Sequence, residues 1–135
     1  MTSYSPSLIT GDGTTSSFTV PFDYINRTDV QVTVNGVSQI YTWTSAATIA
    51  FNTPPAPGDS ILIKRRTEPD ALISDFRSGT LNSRDLNRAF KQLLFIYQEQ
   101  AYDLSVATIV LSSTLPTSPG LPGTWWNNGG VICIS

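Results

Sequence analysis

Histidine is absent from this sequence, cysteine occurs once, at Cys133, and charged residues make up only 13% of the chain. Without histidine no Ser-His-Asp triad can form, and the commonest metal ligand and general base disappear together. A single cysteine excludes an intrachain disulfide and a thiolate metal cluster, so neither a metal nor another cofactor is expected. No apolar run approaches the roughly eighteen residues of a membrane span. The N-terminus MTSYSPSLITGDG has neither the basic start nor the apolar centre of a signal peptide. These absences point to a protein made in the cytoplasm, soluble and with no membrane insertion.

What remains suffices for a fold. A chain of 135 residues, 40% hydrophobic, is too apolar for a disordered polymer and long enough for one compact core. From Ser16 the segments SSFTVPF, DVQVTV, VSQIYTW, TIAF and SILIKRR are rich in β-branched and aromatic residues and separated by turn residues. They predict a small antiparallel β-sandwich or open barrel. Asn35-Gly36 between VQVTV and VSQIYTW predicts a two-residue type I′ hairpin, which needs positive φ twice. Val30, Val32 and Val34 alternate with Gln31 and Thr33, the pattern of a half-buried strand.

The pattern changes at residues 82–83. Asn82 or Ser83 can cap a helix that Asp85 favours from its first turn, and Leu86, Phe90, Leu93, Tyr97, Ala101 and Leu104 recur at helical spacing. The helix is expected to run about twenty residues. Its LLFIY run at 93–97 is apolar nearly all round, so one partner surface cannot cover it. One face should meet the sheet; Leu86, Phe90, Leu93, Leu94 and Tyr97 are the candidates for a second interface between copies. Beyond it, Pro116, Pro119 and Pro122 predict an extended linker, and TWWNNGGVICIS predicts a hairpin with a turn at Asn127-Asn128-Gly129-Gly130. Because a lone hairpin is marginal in water, Trp125, Trp126, Ile132 and Ile134 are candidate contacts for a partner. The fold class is mainly β: a sandwich over 1–81, one long helix over 82–111 and a C-terminal arm over 112–135.

Net charge is −2, yet seven of the eight Lys and Arg fall between Lys64 and Lys91. The interleaved acids Glu68, Asp70, Asp75 and Asp85 argue against nucleic acid as the partner and for a charged docking surface or internal ion pairs. Glu68, Asp70 and Asp75 could be cast as a glycosidase-type pair, but pairing with Lys64, Arg65, Arg66 and Arg77 is the simpler reading. Gly11-Asp12-Gly13 lacks the strand and helix of a phosphate-binding fingerprint and reads as a loop turn. Trp125, Trp126 and Tyr41 could instead stack on sugars, making a small carbohydrate-binding β-sandwich for host-surface recognition the alternative function.

Taken in order, YSPSLITGDGTTSSFTVPFDYI, the Asn-Gly hairpin, ILIKRRTEPDALISDFRSGTLNSRDLNRAF and QEQAYD resemble the N-terminal, virion-attaching domain of tail fibres from T-seven-like short-tailed bacteriophages. The resemblance covers residues 4–104. It implies a structural virion tail protein, a fibre or fibre adaptor, that docks on other tail proteins through its β domain and forms a homotrimer. It implies loop-bracing or docking roles for Arg65, Arg66, Thr67, Asp75, Asp85 and Asn87. Where the family's shaft should begin, this chain turns instead into the proline-rich linker and hairpin, an arm suited to holding a further fibre or spike protein.

Overall fold

Nine short strands and one long helix follow from that patterning in the computed structural model, which describes residues 4–73, 82–129 and 131–134, and over 108–114 the backbone alone. The elements are β1 (Ser7–Thr10), β2 (Ser17–Thr19), β3 (Val30–Val34), β4 (Val37–Ser38), β5 (Thr42–Trp43), β6 (Thr48–Ala50), β7 (Ser60–Arg65), α1 (Ser83–Thr114), β8 (Trp125–Asn128) and β9 (Val131–Ile134). They divide into two compact units, residues 1–99 and 100–135, with α1 passing from one to the next.

In the first unit, β1-β7-β3-β4 form one sheet and β2-β6-β5 another, with every pairing antiparallel. Period-two alternation turns Val30, Val32, Ile61 and Ile63 from the first sheet towards Phe18 and Ile49 from the second, and all six are buried in one shared cluster. This is the sandwich that the sequence predicts. Asn35 and Gly36 take φ of 52° and 80°, as a type I′ turn requires. The Asn35 side chain then donates to Asp59 Oδ1 at 2.8 Å and accepts from the Ser60 N–H at 2.9 Å, fixing the β3 end against β7.

Three details depart from the sequence reading. β1 precedes the first expected strand; its four residues SLIT are too short to show alternation, but β7 supplies a template with Ile9 opposite Ile61. VSQIYTW is not one strand: Val37–Ser38 pairs with β3 and Thr42–Trp43 with β6, so the chain changes sheets between them. The Tyr41 hydroxyl donates to the Val30 carbonyl at that crossing, and burial pushes its pKa up. Finally, α1 has 32 residues, more than the twenty or so that the spacing predicts and close to the 82–111 segment assigned to it. No Gly or Pro lies between residues 82 and 115, so nothing interrupts the helix before Pro116. Asn82 is the residue that caps it, its Oδ1 accepting from the Asp85 N–H at 2.8 Å.

The Gly11–Thr15 loop closes one end of the sandwich. Asp12 accepts from the Thr14 N–H at 2.8 Å, and from the Thr15 N–H and hydroxyl, each at 2.6 Å. The Thr15 hydroxyl, followed by its N–H, holds the Asp12 carboxyl well below the usual carboxylate range. A depressed folded pKa gives stability that is present above the unfolded value and lost as pH falls through the folded one. The destabilisation caused by Asp12→Ala should therefore shrink as the pH falls below about 4, which urea midpoints at several pH values would register. Next to it, a Cβ on Gly11 would collide with the Ala56 carbonyl oxygen. Gly11→Ala should cost about 1–3 kcal/mol through that overlap, read as a lower midpoint at unchanged slope.

In the second unit, β8 and β9 form an antiparallel hairpin with Asn128 opposite Val131, so Asn127 and Asn128 belong to the strand and the turn is shorter than the sequence suggests. Trp125 pairs with Ile134 and Trp126 with Cys133. Among the described residues no helix is long and apolar enough to cross a membrane.

Candidate functional site

The third inward position of β7 holds an arginine. Ile61, Ile63 and Arg65 alternate on the core side of the strand, and Arg65 is only 3% exposed. A guanidinium so placed must have its donors satisfied, since a buried unpaired charge costs several kcal/mol. On α1, Gln92, Phe95 and Glu99 recur at three- and four-residue spacing and are likewise buried, so this is the face the helix turns towards the first unit's sheet.

The two faces meet around Arg65. Its Nε donates to Glu99 Oε1 at 2.7 Å, one terminal nitrogen to the Asp23 carbonyl at 2.7 Å and the other to Gln98 Oε1 at 2.9 Å. The guanidinium lies 3.7 Å from the centre of the Phe95 ring and 4.5 Å from that of Tyr4. Thr67 completes the Glu99 carboxylate, donating its hydroxyl to Oε1 at 2.7 Å and its N–H to Oε2 at 3.0 Å. Two turns before Glu99, Gln92 accepts from the Ile73 N–H and donates to the carbonyls of Glu68 and Ala71, gathering the loop after β7 onto the helix. Among the described residues no buried side-chain polar atom is left without a partner. The arrangement is a clamp: Arg65, Thr67 and Gln92 donate to groups of the chain itself, and together they lock helix to sheet.

The other predicted residues fall elsewhere. Arg66 is exposed, and its N–H donates to the Asp29 carbonyl at 2.7 Å. Asp85 serves the helix cap, Asn87 is exposed, and Asp75 lies outside the described residues. The ion-pair reading of the basic segment is corrected for Arg65, whose partner is Glu99 rather than Glu68 or Asp70; Glu68 accepts instead from the Asp70 N–H. Sequence reasoning missed Glu99, Gln92, Gln98 and Tyr4. The available signal was an arginine in phase with Ile61 and Ile63, which demands a carboxylate, and a glutamate in phase with Phe95, which supplies one.

The opposite face of α1 is bare. Phe90, Leu93 and Tyr97 are 61%, 66% and 69% exposed, Leu86 and Leu94 are half-buried, and in the second unit Leu104 is exposed on the same spacing. In the hairpin, Trp125 and Ile134 are exposed while Trp126 and Ile132 are half-buried. Tyr41, the third residue of the sugar-stacking reading, packs against the core cluster of the first unit.

A clamp closed on itself beside an apolar helix face describes a scaffold, and comparison with known proteins says which. The family model of the phage T7 tail fibre protein N-terminal domain matches residues 1–114. The chain belongs to this family. It is 32% identical over 109 residues to the tail fiber protein of Escherichia phage T7, covering 73% of this chain and 20% of that protein. The tail fiber protein of Enterobacteria phage T3 has the same identity over the same length, with 19% of it covered. The anchor protein of Klebsiella phage KP34 is 37% identical over 59 residues, 43% of this chain and 19% of that protein. The chain therefore spans about a fifth of the length of the curated relatives it matches. Membership places it among structural proteins of the virion tail, and the matched span includes the clamp and all of α1 while the linker and hairpin lie beyond it.

Proposed function

We propose that this chain is a non-catalytic connector of the phage tail, which docks on another tail protein through its sandwich and assembles with two further copies through α1. The bare helix face carries the reading. Leu86, Phe90, Leu93, Tyr97, Gln100 and Leu104 alternate spacings of four and three residues, the heptad seam of a coiled coil with one polar layer at Gln100. Ile96 and Leu94 widen that seam on its two sides, which suits three helices better than two. The sandwich stays outside the bundle because the clamp occupies the opposite side of α1. At the far end, the hairpin is an exposed two-stranded ribbon suited to pairing with a sheet edge of a further fibre or spike protein.

Docking is tested with virions of the producing phage assembled without this chain. Purified full-length protein should bind such particles saturably, and a version lacking residues 115–135 should bind equally well. Loss of binding with the arm would move the tail-docking role from the sandwich to the hairpin.

A further inference from the structure

Between the clamped face and the bare face, α1 carries a flank of a different kind. Arg84, Arg88 and Lys91 stand at spacings of four and three residues, so their side chains line one side of the helix over about 10 Å. Arg84 and Lys91 are exposed and Arg88 is half-buried. Four of the first unit's acids are engaged elsewhere: Glu99 with Arg65 and Thr67, Asp85 with Asn82, Asp29 with the Asn26 N–H and Asp59 with Asn35. Among the described residues the side chains of Arg84, Arg88 and Lys91 make no hydrogen bond or ion pair, the one salt bridge being that of Arg65 with Glu99. Three cations thus gather on one flank of a chain whose net charge is −2.

We infer that this flank is a docking surface for an acidic protein surface, one presenting several carboxylates at helical or strand spacing beside an apolar contact. The inference deepens the connector reading by naming the chemistry of the surface that receives the chain. Phe90 and Leu94 border the cations where the flank meets the seam, so a partner held by the three charges abuts the apolar edge of the assembled helices, with orientation set by charge. Nucleic acid fits less well: three cations neutralise few phosphates, and the rest of the chain would repel the backbone. The flank also lies outside the heptad seam, so assembly of copies through Leu93 and Tyr97 leaves it open.

The test uses the full chain and the triple variant Arg84→Glu, Arg88→Glu, Lys91→Glu, with immobilised poly-L-glutamate and oligothymidylate of equal length as probes at low and physiological salt. Wild type should bind the glutamate polymer more tightly than the oligonucleotide, with affinity falling as salt rises, and the triple variant should lose at least about tenfold. Solution mass and circular dichroism should be the same for both proteins. Equal binding by the variant overturns the inference, and so does tighter binding to oligothymidylate. A drop in the variant's mass overturns it too, by assigning the flank to contacts between copies. Binding of wild type to fibre-less virions is scored separately, so failure of the connector reading is distinguishable from failure of this surface.

Discussion

Glu99→Ala is expected to lower the unfolding free energy by about 3–5 kcal/mol, the largest effect of any single substitution outside the apolar core. The change leaves the Arg65 guanidinium buried without its carboxylate and strips the Thr67 N–H and hydroxyl of their acceptor. Arg65→Ala should cost a similar amount from the other side, since the Glu99 carboxylate is then buried with only Thr67 to hold it. The informative comparison is the double variant Arg65→Met, Glu99→Leu. Replacing both charges by apolar groups of similar length removes the desolvation cost together with the attraction, so the double variant should be more stable than either single one. Urea unfolding of the four proteins measures this; losses that simply add would mean that the two side chains act independently.

Leu93→Glu should reduce the solution mass from trimer to monomer while leaving the sandwich folded. Leu93 is 66% exposed and touches none of the clamp, so the isolated chain has little to lose from a charge there. In an assembled seam, each copy would forfeit the roughly 1.5–3 kcal/mol of a buried large side chain and add a desolvated carboxylate, three times over. Phe90→Asp should behave alike. Leu94→Glu is the contrasting case: Leu94 is half-buried, so the variant should lose stability as well as mass. Light scattering paired with thermal unfolding separates the two classes; Leu93→Glu retaining the parent's mass would remove the seam from the account.

Much of this architecture is legible before any coordinates are seen, and the reasons are local. Asn35-Gly36 dictates its hairpin because few other dipeptides tolerate two positive φ values, and Val30 and Val32 announce their inward side by alternation. α1 is legible from its cap and its spacing. Its end is less so, because the apolar spacing that announces the helix runs only to Leu104, whereas nothing stops the backbone before Pro116. What sequence hides is partnership across distance. Arg65 and Glu99 are separated by 34 residues, and each has nearer residues of opposite charge with which a linear reading would pair it. Only the packing of α1 on the sheet selects Glu99 over Glu68 and Asp70. The split of VSQIYTW between two sheets is hidden for the same reason, since Tyr41 finds the Val30 carbonyl only after both sheets are in place.

The clamped face and the exposed apolar face lie on opposite sides of one helix. Gln92, Phe95 and Glu99 are committed inward, so the sandwich fixes the direction in which Phe90, Leu93 and Tyr97 face. In the proposed connector this rigidity would set the angle between the docking domain and the assembled helices.

Light scattering of the full chain at micromolar concentration tests the central claim most directly. The account predicts about three times the 14.7 kDa of one chain. A mass of one chain, measured on protein whose helix and sheet signals are intact, would contradict it.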